Sequence, residues 1–261
     1  MIGHGAIATG VMSLLADDAR IAFDPVVVSR GSLARLRAQG ASSPRFVDRL
    51  EIGGAARPDL VVECAGHGAI AEHVLPALEA GVDALVVSIG ALSNAALAAR
   101  LEAAALAGGA QVHLLAGAVG GIDALAAARH GGLDEVVYRG CKPPLAWRGT
   151  PAEDGRDLAA IDRATVLFEG SAREAAARYP KNANVAATIA LAGVGLDATR
   201  VTLVADPAAG GNLHRIDARG AFGRLVLELQ GEPLASNPKT SALTVFSVVR
   251  ALTNRVSPIT I

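Results

Sequence analysis

The chain opens on Met1-Ile2-Gly3-His4-Gly5-Ala6-Ile7-Ala8, a G-x-G-x-x-A pattern. The first glycine allows a tight turn, the second lets backbone approach a pyrophosphate, and a small third residue lets a helix pack closely. A helix starting there aims free N–H groups and the positive end of its dipole at phosphate oxygens. Gly3, Gly5, Ala6 and Ile7 are therefore candidate cofactor contacts. An ordinary glycine turn would read the same way; the helical stretch behind it and the apolar run at 24–30 favour a dinucleotide. Only two residues precede Gly3, so either the sheet edge there is short or the strand begins upstream.

The run "DPVVVSR" (24–30) ends in Ser29 and Arg30, where an Asp or Glu would bind ribose hydroxyls. A guanidinium suits a 2′-phosphate, which points to NADP with NAD tolerated; a merely solvated arginine is the plainer alternative. A second strand end, "ECAG", places Cys64, Ala65 and Gly66 on the cofactor crevice by the rule for parallel sheets. Ser88 and Gly90 at the next strand end are expected there too. Cys64 reads as a small packing residue or, more sharply, as a nucleophile, for which no general-base partner is evident.

His214, in "GNLHRI" after the Gly210-Gly211 turn, is the leading proton handler, since imidazole titrates near neutral pH; a surface strand residue is the alternative. His67 follows "ECAG" and ranks second. His4 sits inside the phosphate turn with its ring expected to point outward, and His73, His113 and His130 read as helix, strand or surface residues. No histidine pair has metal-ligand spacing. In "YPKNANVAATIALAG" (179–193), Lys181, Asn182 and Asn184 crowd a helix start, as an anion or amide site or as ordinary caps.

Positioning these residues requires alternating elements. "PDLVVECAG" (58–66), "DALVVSIGAL" (83–92) and "QVHLLAG" (111–117) read as buried strands separated by helices at 69–82 and 93–109, the pattern of a parallel sheet with crossover helices. From about residue 118 the strands alternate apolar with polar: 133–144, 164–171, 199–207, 212–221 and 223–233. That alternation suits an antiparallel or mixed sheet with one covered face. A helix is expected at 182–196, and another near the chain's end with a stripe of Leu243, Phe246, Val249 and Leu252. The fold class is α/β: a Rossmann-type parallel-sheet domain plus a second α/β catalytic domain. The expected boundaries are 1–118, completed by 235–261, and 119–234.

Composition narrows the class. Lys plus Arg number 24 against 25 Asp plus Glu in 261 residues, which leaves no field to attract nucleic acid or an anionic membrane. The 51% hydrophobic content is rich in alanine, and the most apolar region, 103–122, is broken by Gln111, His113 and glycines. No signal-peptide order is visible and the two cysteines form no disulfide framework, so the expectation is a soluble cytoplasmic protein.

The motifs "YPKNANVAATIALAG", "GNLHRI", "NPKTS" and "GAVGGIDAL", with "GHGAIA", resemble those of the L-aspartate dehydrogenase family, in order and over essentially the whole chain. The resemblance implies a Rossmann domain, a catalytic and dimerisation domain, and a final helix that returns to the first. It implies reversible NAD- or NADP-dependent oxidation of L-aspartate through iminosuccinate to oxaloacetate and ammonia, feeding NAD biosynthesis, in a homodimer. Position by position it puts the catalytic histidine on His214 and nicotinamide-side contacts on Ala118 and Asn184. His214 would activate water or relay protons; Lys181, Asn182, Asn212 and Lys239 are candidates for the substrate carboxylates. A two-domain dehydrogenase for a hydroxy acid, semialdehyde or cyclic imine, and a non-catalytic NADP sensor, are the rival readings.

Overall fold

The computed structural model describes residues 1–54, 57–180 and 184–261, apart from the side chains of 238 and 239. Lys181, Asn182 and the side chain of Lys239 thus lie outside the described residues. The chain divides into two compact units, Met1–Leu115 with Val245–Ile261, and Ala116–Thr244. Among the described residues no helix is long and apolar enough to cross a membrane.

In the first unit the elements are α1 (Ala6–Leu14), β1 (Val26–Val27), α2 (Arg30–Ala38), β2 (Phe46–Val47), β3 (Leu60–Glu63), α3 (His67–Ala69), α4 (Leu75–Glu79), β4 (Asp83–Val86), α5 (Ala95–Gly108) and β5 (Val112–Leu114). A π turn, Ile70–Val74, joins α3 to α4 just ahead of Pro76, whose ring lacks the N–H that a continuous α-helix needs there. Asn94 caps α5, its Oδ1 accepting from Leu97 N–H at 3.1 Å. Every strand pair is parallel.

Ile2 corrects the expectation of a short sheet edge. It bridges Val27 on one side and Glu63 on the other, both in parallel. Ile2 N–H donates to Val62 O, Cys64 N–H to Ile2 O, Gly3 N–H to Val27 O and Val27 N–H to Met1 O, each at 2.8 Å. The spatial order is therefore β2, β1, Ile2, β3, β4, β5, with the chain's first segment at the centre, as in a doubly wound dinucleotide fold. Neighbours on both sides satisfy the backbone groups of Ile2 and bury its side chain.

The second unit holds α6 (Ile122–Ala128), β6 (Leu133–Lys142), β7 (Thr165–Ser171), α7 (Ala172–Arg178), α8 (Asn184–Ala192), β8 (Arg200–Ala205), β9 (Asn212–Gly220), β10 (Gly223–Gly231), β11 (Pro233–Leu234) and β12 (Asn237–Ser241). Its main sheet runs β10, β9, β6, β8, β7, with β6 and β8 parallel and the other pairs antiparallel, the mixed sheet expected. One face is apolar, with Val136, Tyr138, Ile216 and Ala218 buried. The helices cover it: a Cβ on Gly193, just past α8, would lie 3.1 Å from Val136 and 3.5 Å from Leu125 of α6. The opposite face is charged and carries ion pairs such as Arg215–Glu228 at 3.0 Å.

The last helix, α9 (Ala242–Val256), buries Val245, Val248 and Leu252, whereas Phe246 is 51% exposed. The expected stripe shares only Leu252 with the buried one. The helix presents Val245 to α1, where a Cβ on Gly10 would lie 3.2 Å from Val245 Cγ1, and that contact sets its rotation.

Gly3 has φ +96°, and a Cβ there would come within 2.7 Å of the Cys64 carbonyl oxygen. Both the backbone conformation and the close approach exclude a side chain. Gly3→Ala is expected to lower stability by on the order of 2–3 kcal/mol, read from the urea midpoint. An unchanged midpoint would mean that the turn relaxes without strain.

Candidate active site

Gly3 and Gly5 lead from the central strand into α1. Gly5 caps that helix with no side-chain hydrogen bond, so the first-turn N–H groups are left for an anionic ligand. The turn borders a cleft of about 1290 Å³ that is also lined by Ser29, Arg30, Cys64, Ala65 and Gly66. Seven of the expected cofactor contacts thus gather in one place. Ala6 and Ile7 begin α1 behind the turn and do not line the cleft, while Ala118 and Asn184 belong to the second unit.

Ser29 caps α2, its hydroxyl accepting from Ser32 N–H at 3.3 Å. Arg30 extends into solvent, 92% exposed, with its Nε 3.3 Å from the Asp48 carboxylate. Arg35 and Arg49 line the same cleft and add cations that strand-end reasoning missed. His67 lines it as well. His4 does so too, but its ring packs edge-on against Phe46 at 4.9 Å instead of pointing freely outward.

Glu63 is the organising residue that the sequence reading overlooked. Fully buried at the end of β3, its carboxylate accepts from Ala65 N–H and Gly66 N–H at 2.7 Å and from Ser88 N–H and Oγ at 3.0 Å. Ser88 and Gly90, expected on the crevice wall, are buried and do not line it; Ser88 instead ties the end of β4 to Glu63. A glutamate directly after two valines in a buried strand was the available signal. Burial, and then the nearby Glu63 charge, push the Cys64 thiol up to about 12. A thiol held protonated packs; it does not attack.

In the second unit His214 lies on the helix-covered face of β9, only 4% exposed, which sets aside the surface-residue alternative. Its Nδ1 stands 2.8 Å from the hydroxyl of Tyr138, itself buried. In the β6–β9 register His214 faces Gly140, and Lys142 follows two residues along the same face. The Lys142 ammonium sits 5.4 Å from the centre of the Trp147 ring. Burial lowers its pKa to about 8. Burial first, and then the Lys142 charge, lower His214 to about 4, so the imidazole is neutral at pH 7. Tyr138, Gly140 and Lys142 were not singled out in the sequence. A glycine between two polar residues at alternate positions of an apolar strand was the only hint. Ala118 lies in the turn before α6, and Asn184 opens α8, where its carbonyl accepts from Thr188 Oγ1 at 2.8 Å.

Family models match in two blocks. The NAD-binding domain of homoserine dehydrogenase matches residues 3–115, and the C-terminal domain of aspartate dehydrogenase matches 123–255. The L-aspartate dehydrogenase of Ralstonia nicotianae is 60% identical over 264 residues, spanning 100% of this chain and 98% of its own length. The chain belongs to the L-aspartate dehydrogenase family. The L-aspartate dehydrogenase of Pseudomonas aeruginosa is 57% identical with the same coverage. A solved aspartate dehydrogenase from Thermotoga maritima shares 29% identity with a TM-score of 0.75, over 100% of this chain and 97% of that one. The glycine turn and Glu63 fall in the first matched block, and Tyr138, Lys142 and His214 in the second.

The neutral state of His214 has a measurable consequence. The unfolded chain takes up a proton near pH 6.5 that folded His214 refuses until about 4, so stability is lost as the pH falls through that window. The effect reaches about 3 kcal/mol at its lower end. Thermal unfolding between pH 7 and 4 should show the fall, and His214→Asn should remove much of it. An equally steep fall in the variant would place the burden on other groups.

Proposed function

We propose that this chain is an NAD(P)-dependent L-aspartate dehydrogenase. In one direction L-aspartate, water and the oxidised cofactor give oxaloacetate, ammonia, the reduced cofactor and a proton, through iminosuccinate. Family membership over the whole chain carries this reading, and a buried histidine in the family's C-terminal domain supports it.

A pyridine dinucleotide fits the residues of the first unit. Gly3 admits close approach of backbone, and the uncapped start of α1 offers N–H groups to the pyrophosphate. When bound, the cofactor supplies the hydride acceptor or donor. Arg30 would pair with a 2′-phosphate and Asp48 would accept from a free ribose hydroxyl, so the neighbouring ends of β1 and β2 suit NADP and NAD. Ala118 and Asn184 complete the family's cofactor contacts. In the second unit His214 is the catalytic residue, acting on the oxygen that joins or leaves the substrate carbon. We further read the second unit as the dimerisation domain of a cytoplasmic homodimer whose product chemistry serves NAD biosynthesis.

Initial rates of NADPH and NADH oxidation with oxaloacetate, with and without ammonium, test the activity. Dependence on both oxaloacetate and ammonium is expected; a better rate with another carbonyl compound and no ammonium would transfer the function to a different two-domain dehydrogenase. His214→Ala should lower turnover by roughly a hundredfold or more while leaving NADPH binding nearly intact. Arg30→Ala should raise the KM for NADPH roughly tenfold and leave that for NADH nearly unchanged. Equal losses with both cofactors would remove the 2′-phosphate role.

A further inference from the structure

We propose that Tyr138 is a positioning residue for His214: its hydroxyl donates to Nδ1 and holds the imidazole as the tautomer with its proton on Nε2. The resting histidine then offers the substrate an N–H donor and not a free base.

Geometry carries the pairing. Tyr138 and His214 lie on neighbouring strands, 2% and 4% exposed, with Oη and Nδ1 2.8 Å apart and ring planes 19° from parallel. Register puts Ile216, not His214, opposite Tyr138, so the phenol must slant along its strand to reach the imidazole. It passes over Gly140, the residue that does face His214. A Cβ on Gly140 would lie 2.5 Å from the Tyr138 hydroxyl and 3.0 Å from Cζ. Glycine inside a strand weakens it and marks a close approach. What approaches here is the phenol on its way to Nδ1.

Proton counting gives the direction. A neutral imidazole and a neutral phenol carry one polar hydrogen each. Among the described residues the Tyr138 hydroxyl has no partner other than Nδ1. If Nδ1 donated, the phenol's own hydrogen would be buried without an acceptor, a loss of about 1–3 kcal/mol. If the phenol donates, nothing is orphaned. Burial supports this by keeping the phenol protonated and the imidazole neutral, and Lys142 on the same face opposes a second positive charge. Nε2 then bears hydrogen, and among the described residues it makes no hydrogen bond to the protein.

The identity of the oxygen that Nε2–H meets rests on the aspartate reading. When ammonia adds to the keto carbon of oxaloacetate, the nitrogen lone pair forms the C–N bond and the C=O π pair moves onto oxygen. That oxygen then takes the proton released by the nitrogen, giving the neutral hydroxy-amine. Nε2–H stays on His214 throughout and steadies the oxygen while it is negative. A neutral histidine polarising a carbonyl is an established device in other enzymes.

The test labels histidine with ¹⁵N in the full-length enzyme at pH 7.5 and assigns His214 by its loss in His214→Gln. A long-range ¹H–¹⁵N correlation should show protonated-type Nε2 and unprotonated-type Nδ1. The reverse pattern, or an imidazolium, overturns the proposal whether or not aspartate is the substrate, and the reading itself is made on the wild-type enzyme. Tyr138→Phe keeps the ring and removes the donor. It should lower kcat roughly tenfold or more with the cofactor KM unchanged, and shift the His214 resonances toward a mixture of tautomers. Gly140→Ala should reproduce both effects. Wild-type kcat together with unmoved His214 resonances in Tyr138→Phe would end the positioning role.

Discussion

Burying a polar side chain costs free energy unless hydrogen bonds inside the protein replace those to water, and in each unit one such side chain shapes the site. In the first unit the case is Glu63. Its two oxygens accept from Ala65, Gly66 and twice from Ser88, so one carboxylate fixes the ends of two adjacent strands. Those strand ends form the floor beside the glycine turn. Losing the carboxylate would leave three backbone N–H groups seeking partners exactly where the loop must hold its shape, which couples the sheet's interior to the outline of the cleft. In the second unit the case is the Tyr138–His214 pair, where the phenol oxygen and Nδ1 meet at 2.8 Å and each completes the other's buried polar group.

Beside each case stands a glycine whose missing side chain makes room. At Gly3 the neighbour is backbone, and the positive φ adds a conformational demand. At Gly140 the backbone is ordinary strand, and the neighbour is a phenol arriving from two residues away. The first glycine is recognisable in a one-dimensional pattern because the turn, the helix start and the close approach follow one another along the chain. The second belongs to a relation between residues 138 and 214, which no local pattern expresses.

The same difference explains what could be read in advance. Runs such as Val26-Val27-Val28 and Leu60-Val61-Val62 announce buried parallel strands because β-branched residues with no polar alternation suit a sheet covered on both faces. The alternation in β6 and β9 likewise announced one covered face. Ile2 escaped because a strand's strength was judged by its own length, whereas a central strand takes its hydrogen bonds from both neighbours. The rotation of α9 escaped because Leu243, Phe246 and Val249 satisfy helical spacing as well as Val245 and Val248 do, and only packing on α1 chooses between the two stripes. Of the cofactor residues, those at strand ends were legible by topology; Arg35 and Arg49 reach the cleft from a helix face and a loop, for which topology offers no rule.

The distribution of charge around His214 follows from desolvation. Lys142 and His214 share one face of the sheet, and burial resists a positive charge on either. With the lysine lowered to about 8 and the histidine to about 4, neutral pH leaves the single charge chiefly on Lys142. The imidazole beside it is uncharged, fixed by a phenol, and spared the reorganisation that follows from gaining a proton in a buried site. An anion entering this cluster would favour the charged form of both groups and raise both pKa values. Lys142, already mostly charged, would gain attraction with little change of proton content. His214 starts more than two units below neutrality and would stay an uncharged donor. Desolvation thus separates a cation at Lys142 from a neutral imidazole at His214, two different states on one face of the sheet.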